Sequence, residues 1–301
     1  MGGNLLEKWQ LQQRQGLPLE IKIRLSQQRI KEWYEYWDGD VYVAFSGGKD
    51  STVLLDLVRG IYPNVPAVFS DTGLEYPEVR NFVKETENVV WLKPKKSFKT
   101  IIEMCGYPVL SKELSHGIEE VRNTKSEKLR DLRLNGRVKT AKSGTKYIQG
   151  RISLKWQYLI DAPFKISPKC CDYMKKNPAK KYEKETKRVG YIGIMAGDSA
   201  FRQQRLLRTG CNAFDSKRPL SSPISFWTDL DIWQYLENKS YSNIYDLGYT
   251  HTGCMFCMFG VHLEKEPNRF QRMKETHPDK YEYCMKNLGL DEVLTYMGVN
   301  H

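Results

Sequence analysis

Two sets of residues have types and spacing that can do chemistry. Residues 46–51 read Ser-Gly-Gly-Lys-Asp-Ser, and seven cysteines stand at 105, 170, 171, 211, 254, 257 and 284. Paired glycines ahead of a helix let amide N–H groups approach an anion, and the positive end of the helix adds to them. With a cation on Lys49 and hydroxyls on Ser46, Ser51 and Thr52, this stretch is expected to cradle phosphates. It matches neither GxxxxGK[ST] nor GxGxxG, so the enzymes those patterns mark do not follow. Cys254 and Cys257 form a CxxC in TGCMFCMFG, and Cys170 and Cys171 are adjacent in SPKCCDYMKKNP. Two such pairs suit tetrahedral zinc or an iron–sulfur cluster. Spacing alone favours zinc somewhat, although adjacent cysteines are unusual around zinc. Cys105, Cys211 and Cys284 have no ligand spacing and are expected to be small buried apolar residues. Among the scattered histidines, His251 alone falls near a ligand pair.

The elements that must position these groups alternate. Strands are expected at 41–45, 66–70 and 89–93, and helices at 50–60, 76–86 and 97–104; the rhythm resumes at 190–197. That alternation implies βαβ crossovers, hence an α/β, doubly wound, mostly parallel sheet. Apolar positions at Ile23, Ile30, Trp33 and Trp37 predict an N-terminal helix over 20–37. A second helix is expected over 227–238, with Trp227, Leu230, Trp233 and Leu236 on its core face. Segment 108–165 breaks the pattern with polar, basic, helix-compatible sequence and reads as an insertion. The expected organisation is a helical segment (1–38), a nucleotide-binding domain (39–240) containing the insertion, and a CxxC-containing segment (241–301) packed on that domain.

The formal charge of +11 points to a polyanionic partner or substrate. Residues 125–155 carry six Lys and four Arg against Glu127 and Asp131, +8 of that total. With Tyr147 and Trp156 nearby, this insertion is a candidate for guiding a nucleic-acid backbone. No apolar run reaches the length of a membrane span, and the first residues lack a signal-peptide core, so a cytoplasmic protein with reduced thiols is expected. Gly2 sits in a poor myristoylation context.

The glycine loop resembles the PP-loop of the adenine-nucleotide α-hydrolase-like enzymes, which cut next to the α-phosphate of ATP or an adenylyl compound. SDTGLEYPEV (70–79) resembles the corresponding segment of phosphoadenosine-phosphosulfate (PAPS) reductases, which implies that Asp71, Thr72 and Gly73 line the nucleotide site. GIMAGDSAFRQQR (193–205) resembles a further segment of that family, with Gly193, Gly197, Ser199 and Arg202 in place and Met195 where the family usually has Arg. Residues 219–254 resemble the family's stretch leading to its terminal cysteines. The paired cysteines resemble the set that holds a four-iron–four-sulfur cluster in adenylyl-sulfate reductases, with Lys175 and Pro178 matching and Met174 replacing an Arg. The resemblance thus implies Cys170, Cys171, Cys254 and Cys257 as cluster ligands, zinc being the alternative.

A sulfite-releasing reductase needs a nucleophilic cysteine, which the resemblance implies near the C-terminus. This chain has none after Cys284, whose surroundings read as a helix. An intact loop is similar to family members that split ATP into AMP and pyrophosphate. The expectation is therefore an iron–sulfur ATP pyrophosphatase in sulfur transfer, close in motif combination to the adenylating component of DNA phosphorothioation systems. Lys49 would neutralise the leaving pyrophosphate, and Asp50 or Asp71 would position Mg²⁺. A PAPS or adenylyl-sulfate reductase is the first alternative, and a nucleotide-bound accessory protein of a nucleic-acid complex the second. Partner proteins that supply sulfur would fit the first reading.

Overall fold

The computed structural model describes residues 5–141 and 143–301; Gly2 and Lys142, cited above, lie outside them. The chain divides into two units. One comprises 1–71, 75–93 and 177–253, the other 72–74, 94–176 and 254–301. No described helix is long and apolar enough to cross a membrane.

The first unit is built on a six-stranded sheet. Its strands run in the order Val89–Leu92, Ala67–Ser70, Val41–Ala44, Val189–Ile192, Leu220–Ser221, Asn212–Ala213. The first five pair in parallel and the last is an antiparallel edge. The doubly wound, mostly parallel sheet expected from the alternation is therefore present. Strand order reverses beside Val41–Ala44, which neighbours both Ala67–Ser70 and Val189–Ile192. In open α/β sheets ligands bind outside the carboxyl ends of strands at such a switch point. Two segments singled out by sequence emerge there: the glycine loop after Ala44, and Gly193–Gly197 after Ile192.

Apolar burial holds that end together. Val41, Val43, Leu54, Val58 and Ala67 are buried in one core, and each of the larger side chains contributes about 1.5–3 kcal/mol. The helix Leu19–Tyr36 buries Ile30 and Trp33 as its periodicity predicts. It also buries Lys22, which periodicity does not announce. The Lys22 ammonium donates to both oxygens of Asp231 (2.8 and 2.6 Å) and to the Gln15 carbonyl (2.7 Å). Asp231 in turn accepts from the N–H and hydroxyl of Thr228, each at 2.7 Å. This pair pins the start of the helix Asp229–Leu236, and removing one partner of such a buried pair costs about 3–5 kcal/mol. The expected core face of that helix needs correction. Leu230 is 76% exposed, whereas Ile232 and Leu236 are buried. Trp227 precedes the Thr228 cap, so the helical period starts two residues later than the sequence pattern assumed.

The second unit contains the helices Phe98–Cys105, Lys112–Asn123, Glu127–Leu134, Arg269–Thr276, Pro278–Glu282 and Leu290–Tyr296. A short parallel pair joins Val109–Leu110 to Met258–Phe259. The segment read as an insertion and the residues after Cys254 thus belong to one unit. Part of the insertion is not helical. Arg137–Thr140 and Lys146–Gln149 form an antiparallel ribbon, because alternating β-branched, aromatic and long polar side chains suit extended backbone. Its turn is closed by the Ala141 N–H donating to the Thr145 carbonyl at 2.9 Å.

Candidate functional site

Gly47 has φ of +71°, and a Cβ there would stand 2.8 Å from methyls of both Val79 and Val83. Glycine alone meets both demands at once. Gly48 then caps the helix Lys49–Arg59 without a side-chain acceptor of its own. The hydroxyls of Ser51 and Thr52 turn back onto the Gly48 carbonyl (2.9 and 3.0 Å), and the Ser46 N–H donates to the Ser51 hydroxyl at 3.1 Å. These serine and threonine side chains hold the loop's shape. Amides at the start of a helix favour a negative or lone-pair oxygen.

Lys49 is buried and its ammonium donates to Asp50 (2.8 Å) and to Asp229 (2.5 Å). Burial pulls its pKa down, but the hydrogen bonds to Asp229 and Asp50 outweigh this and leave it raised, so Lys49 is a cation at any physiological pH. Burial is the largest influence on Asp50 and holds its carboxyl above the usual range despite Lys49. Gly193 presses on the same turn, since a Cβ there would stand 2.8 Å from the Asp50 carbonyl oxygen.

Three residues of this site escaped sequence reading: Asp229, Tyr245 and Thr252. The Lys49 amide donates to the Tyr245 hydroxyl at 2.7 Å, and Thr252 Oγ1 fills the space a Cβ on Gly48 would need. Their only sequence signal is a pair of polar residues shortly before the CxxC. A tyrosine oxygen thus takes the place at the helix end where an anion oxygen would sit. Tyr245→Phe is expected to raise affinity for inorganic pyrophosphate about five- to tenfold, the worth of one competing hydrogen bond, as measured by calorimetric titration.

The other expected site residues are placed as follows. Asp71 is buried and both its oxygens accept from Arg80 (3.2 and 2.9 Å), so it is held by a helix and does not meet Lys49 directly. Thr72 is buried, with Oγ1 accepting from the Leu74 N–H at 3.2 Å. Gly73 has φ of +74° and open space around it, as has Gly197. Ser199 caps the helix Ala200–Thr209, and Arg202 pairs with Asp198. Met195, at the position where Arg was expected, lies in the apolar core.

Cys170, Cys171, Cys254 and Cys257 line one cavity of the second unit, with Leu74, Phe98 and Met174 among its apolar walls. The Cys254–Cys257 turn is closed by the Cys257 N–H donating to the Cys254 carbonyl at 3.0 Å. Cys170 and Cys171 sulfurs lie 4.0 Å apart. The hydrogen bond that Cys170 donates to Cys171 pushes Cys170 up and, helped by Lys112 and Lys175, pulls Cys171 down. Burial pushes the Cys257 thiol up to about 11. Among the described residues no three His, Cys, Asp or Glu side chains converge on a single ion position. His251 is exposed.

The chain is 26% identical over 276 residues to an uncharacterized protein of Methanocaldococcus jannaschii, covering 87% of this chain and 52% of that one. A second protein of that organism is 28% identical over 234 residues, covering 76% of this chain and 38% of that protein. The chain thus spans about half the length, or less, of these two relatives. It is also 25% identical over 253 residues to the adenosine 5'-phosphosulfate reductase of Halalkalibacterium halodurans, covering 82% of this chain and 86% of the reductase. In three dimensions it overlaps the phosphoadenylyl-sulfate reductase of Candida auris with a TM-score of 0.43 and 16% identity, covering 84% of this chain and 98% of that one. The phosphoadenosine phosphosulfate reductase domain matches residues 40–107 and 103–259, a span that holds the glycine loop, Asp71, Gly193 and both cysteine pairs. On that match, the chain belongs to the phosphoadenosine phosphosulfate reductase domain family.

Proposed function

We propose that the chain binds the phosphates of ATP at residues 46–51 and releases pyrophosphate and AMP in a sulfur-transfer reaction. The observation that carries this reading is the intact loop. A glycine-led helix start at the switch point of the sheet, its first amide held by the Tyr245 hydroxyl, carries a buried cation, Lys49, at its first residue. An acceptor oxygen attacks the α-phosphorus, the bond to the bridging oxygen breaks, and its electron pair leaves with pyrophosphate; a sulfide-level sulfur nucleophile then displaces AMP from the adenylylated acceptor, whose bond to that oxygen breaks with the electron pair leaving on AMP. Lys49, shared at rest between Asp50 and Asp229, is the cation available to that charge. Asp50 is the carboxylate for Mg²⁺, because both oxygens of Asp71 are already engaged by Arg80.

Cys170, Cys171, Cys254 and Cys257 are the residues to hold a four-iron–four-sulfur cluster. Two thiol pairs lining one largely apolar cavity supply the four sulfur ligands that such a cluster takes. Such a centre supplies electron transfer or a sulfur-binding iron when present. The hydrogen bond from Cys170, with Lys112 and Lys175 nearby, favours the thiolate at Cys171, the form that binds iron.

A second reading, reduction of adenosine 5'-phosphosulfate, is favoured by the names of several relatives. It needs a nucleophilic thiol outside the four. Cys284 is fully buried, donates to the Tyr281 carbonyl at 3.3 Å, and is pushed up by burial to about 12. That is an inert thiol. The deciding experiment incubates anaerobically prepared protein with ATP, or with adenosine 5'-phosphosulfate and a thiol, and assays pyrophosphate and sulfite. Pyrophosphate from ATP is expected; sulfite release without pyrophosphate would replace this reading with the second. Cys284→Ser is expected to change neither product by more than about twofold, in line with a substitution away from the reacting atoms.

A further inference from the structure

The net charge of the molecule is concentrated in one place. The second unit carries 25 Lys and Arg against 15 Asp and Glu, +10 of the chain's +11. Within it, residues 132–160 contain seven basic residues and no acidic one. The ribbon Arg137–Thr140/Lys146–Gln149 is exposed on both faces over all eight residues. Among the described residues, Arg137, Lys139, Lys146, Arg151 and Lys155 have no carboxylate partner. Cross-strand pairing places Lys139 opposite Tyr147, and Val138 opposite Ile148. Val138 is 69% and Tyr147 48% exposed, a poor arrangement for a ribbon that faces only water.

Immediately after the ribbon comes a row of rings. Trp156 lies 5.4 Å from His262 and 6.2 Å from Tyr158, and Tyr158 lies 5.7 Å from Tyr296. Lys155 stands over the Trp156 ring at 4.7 Å. None of these four rings is fully buried, and Tyr158 is exposed. A strip of unpaired cations continuing into part-exposed rings has two complementary requirements: spaced negative charge, and flat apolar groups free to stack. A duplex satisfies the first and hides the second, whereas a single strand presents both.

We infer that the strands Arg137–Thr140 and Lys146–Gln149 and the rings of Trp156, Tyr158, His262 and Tyr296 form a docking surface for single-stranded nucleic acid, phosphates on the strands and unpaired bases on the rings. The surface lies wholly within the second unit and is independent of the nucleotide reading, so it is tested without ATP.

The test titrates the full chain into fluorescein-labelled single-stranded oligonucleotides, and into a blunt duplex of equal length, reading anisotropy over a salt series. Single-strand binding is expected to be at least tenfold tighter than duplex binding. The triple variant Arg137→Gln, Lys139→Gln, Lys146→Gln is expected to bind at least tenfold more weakly. Its plot of log affinity against log salt should be shallower by about two, near 0.7 for each lost phosphate contact. Tyr158→Ala is expected to weaken single-strand binding at least fivefold while leaving the salt slope unchanged. The ribbon variant changes only exposed side chains, so it keeps the test valid if Tyr158→Ala misfolds. Equal or tighter binding to the duplex, unchanged binding by the ribbon variant, or binding to phosphatidylserine vesicles in place of oligonucleotides would each overturn the inference.

Discussion

Lys49→Ala is expected to lower pyrophosphate release from ATP by about 10²–10³-fold, the cost of removing one preorganised group facing developing charge. The effect should fall mainly on kcat, because pyrophosphate gains charge only as the bond breaks and the loop amides still bind the ground state. Lys49→Arg is the informative companion. Its guanidinium keeps the charge but must fit a site shaped around an ammonium bonded to Asp50 at 2.8 Å and Asp229 at 2.5 Å. Partial activity is expected from it. The measurement is a coupled pyrophosphate assay at saturating ATP, with thermal melts as a control, since Lys49→Ala also leaves Asp50 and Asp229 without their shared cation. Activity within tenfold of the wild type in Lys49→Ala would remove Lys49 from the chemistry and leave it as an ion-pair residue.

The second large effect concerns the cysteines. Replacing Cys257 by Ser in protein made anaerobically is expected to abolish bound iron and the broad visible absorption of an iron–sulfur centre. Cys284→Ser is expected to leave both intact. The contrast follows from position: Cys257 shares a cavity with three other thiols, whereas Cys284 is buried alone against the Tyr281 carbonyl. Retained zinc in place of iron would show that the cavity takes a single ion. Loss of iron should also lower the melting temperature of the second unit, because both cysteine pairs belong to it and a bound centre ties 170–171 to 254–257.

Much of the architecture was legible because it rests on short-range pattern. Strand-to-helix alternation, the glycine pair and the period of Ile30 and Trp33 each depend on residues within a few positions of one another. Failures came where a boundary or a solvent-facing surface decided the outcome. Leu230 matches an apolar stripe but is exposed, because Thr228 caps the helix one residue after Trp227. The ribbon at 137–149 sits in sequence whose composition suits a helix equally well, and its cross-strand pairs select extended backbone. Ser51 and Thr52 turn their hydroxyls onto the Gly48 carbonyl, a choice of partner that no spacing records.

By itself, then, the amino-acid sequence determined the parallel α/β core, the glycine loop at a helix start, and two closely spaced pairs of cysteines. Each is written in residue type and local period. Tertiary structure alone decided what surrounds them. Asp229 reaches Lys49 across 180 residues and the Tyr245 hydroxyl meets its amide across 196, while Lys22 finds Asp231 across 209. Such partners are chosen by how the chain crosses the sheet and by which buried charges must be neutralised, and neither leaves a periodic trace along the chain.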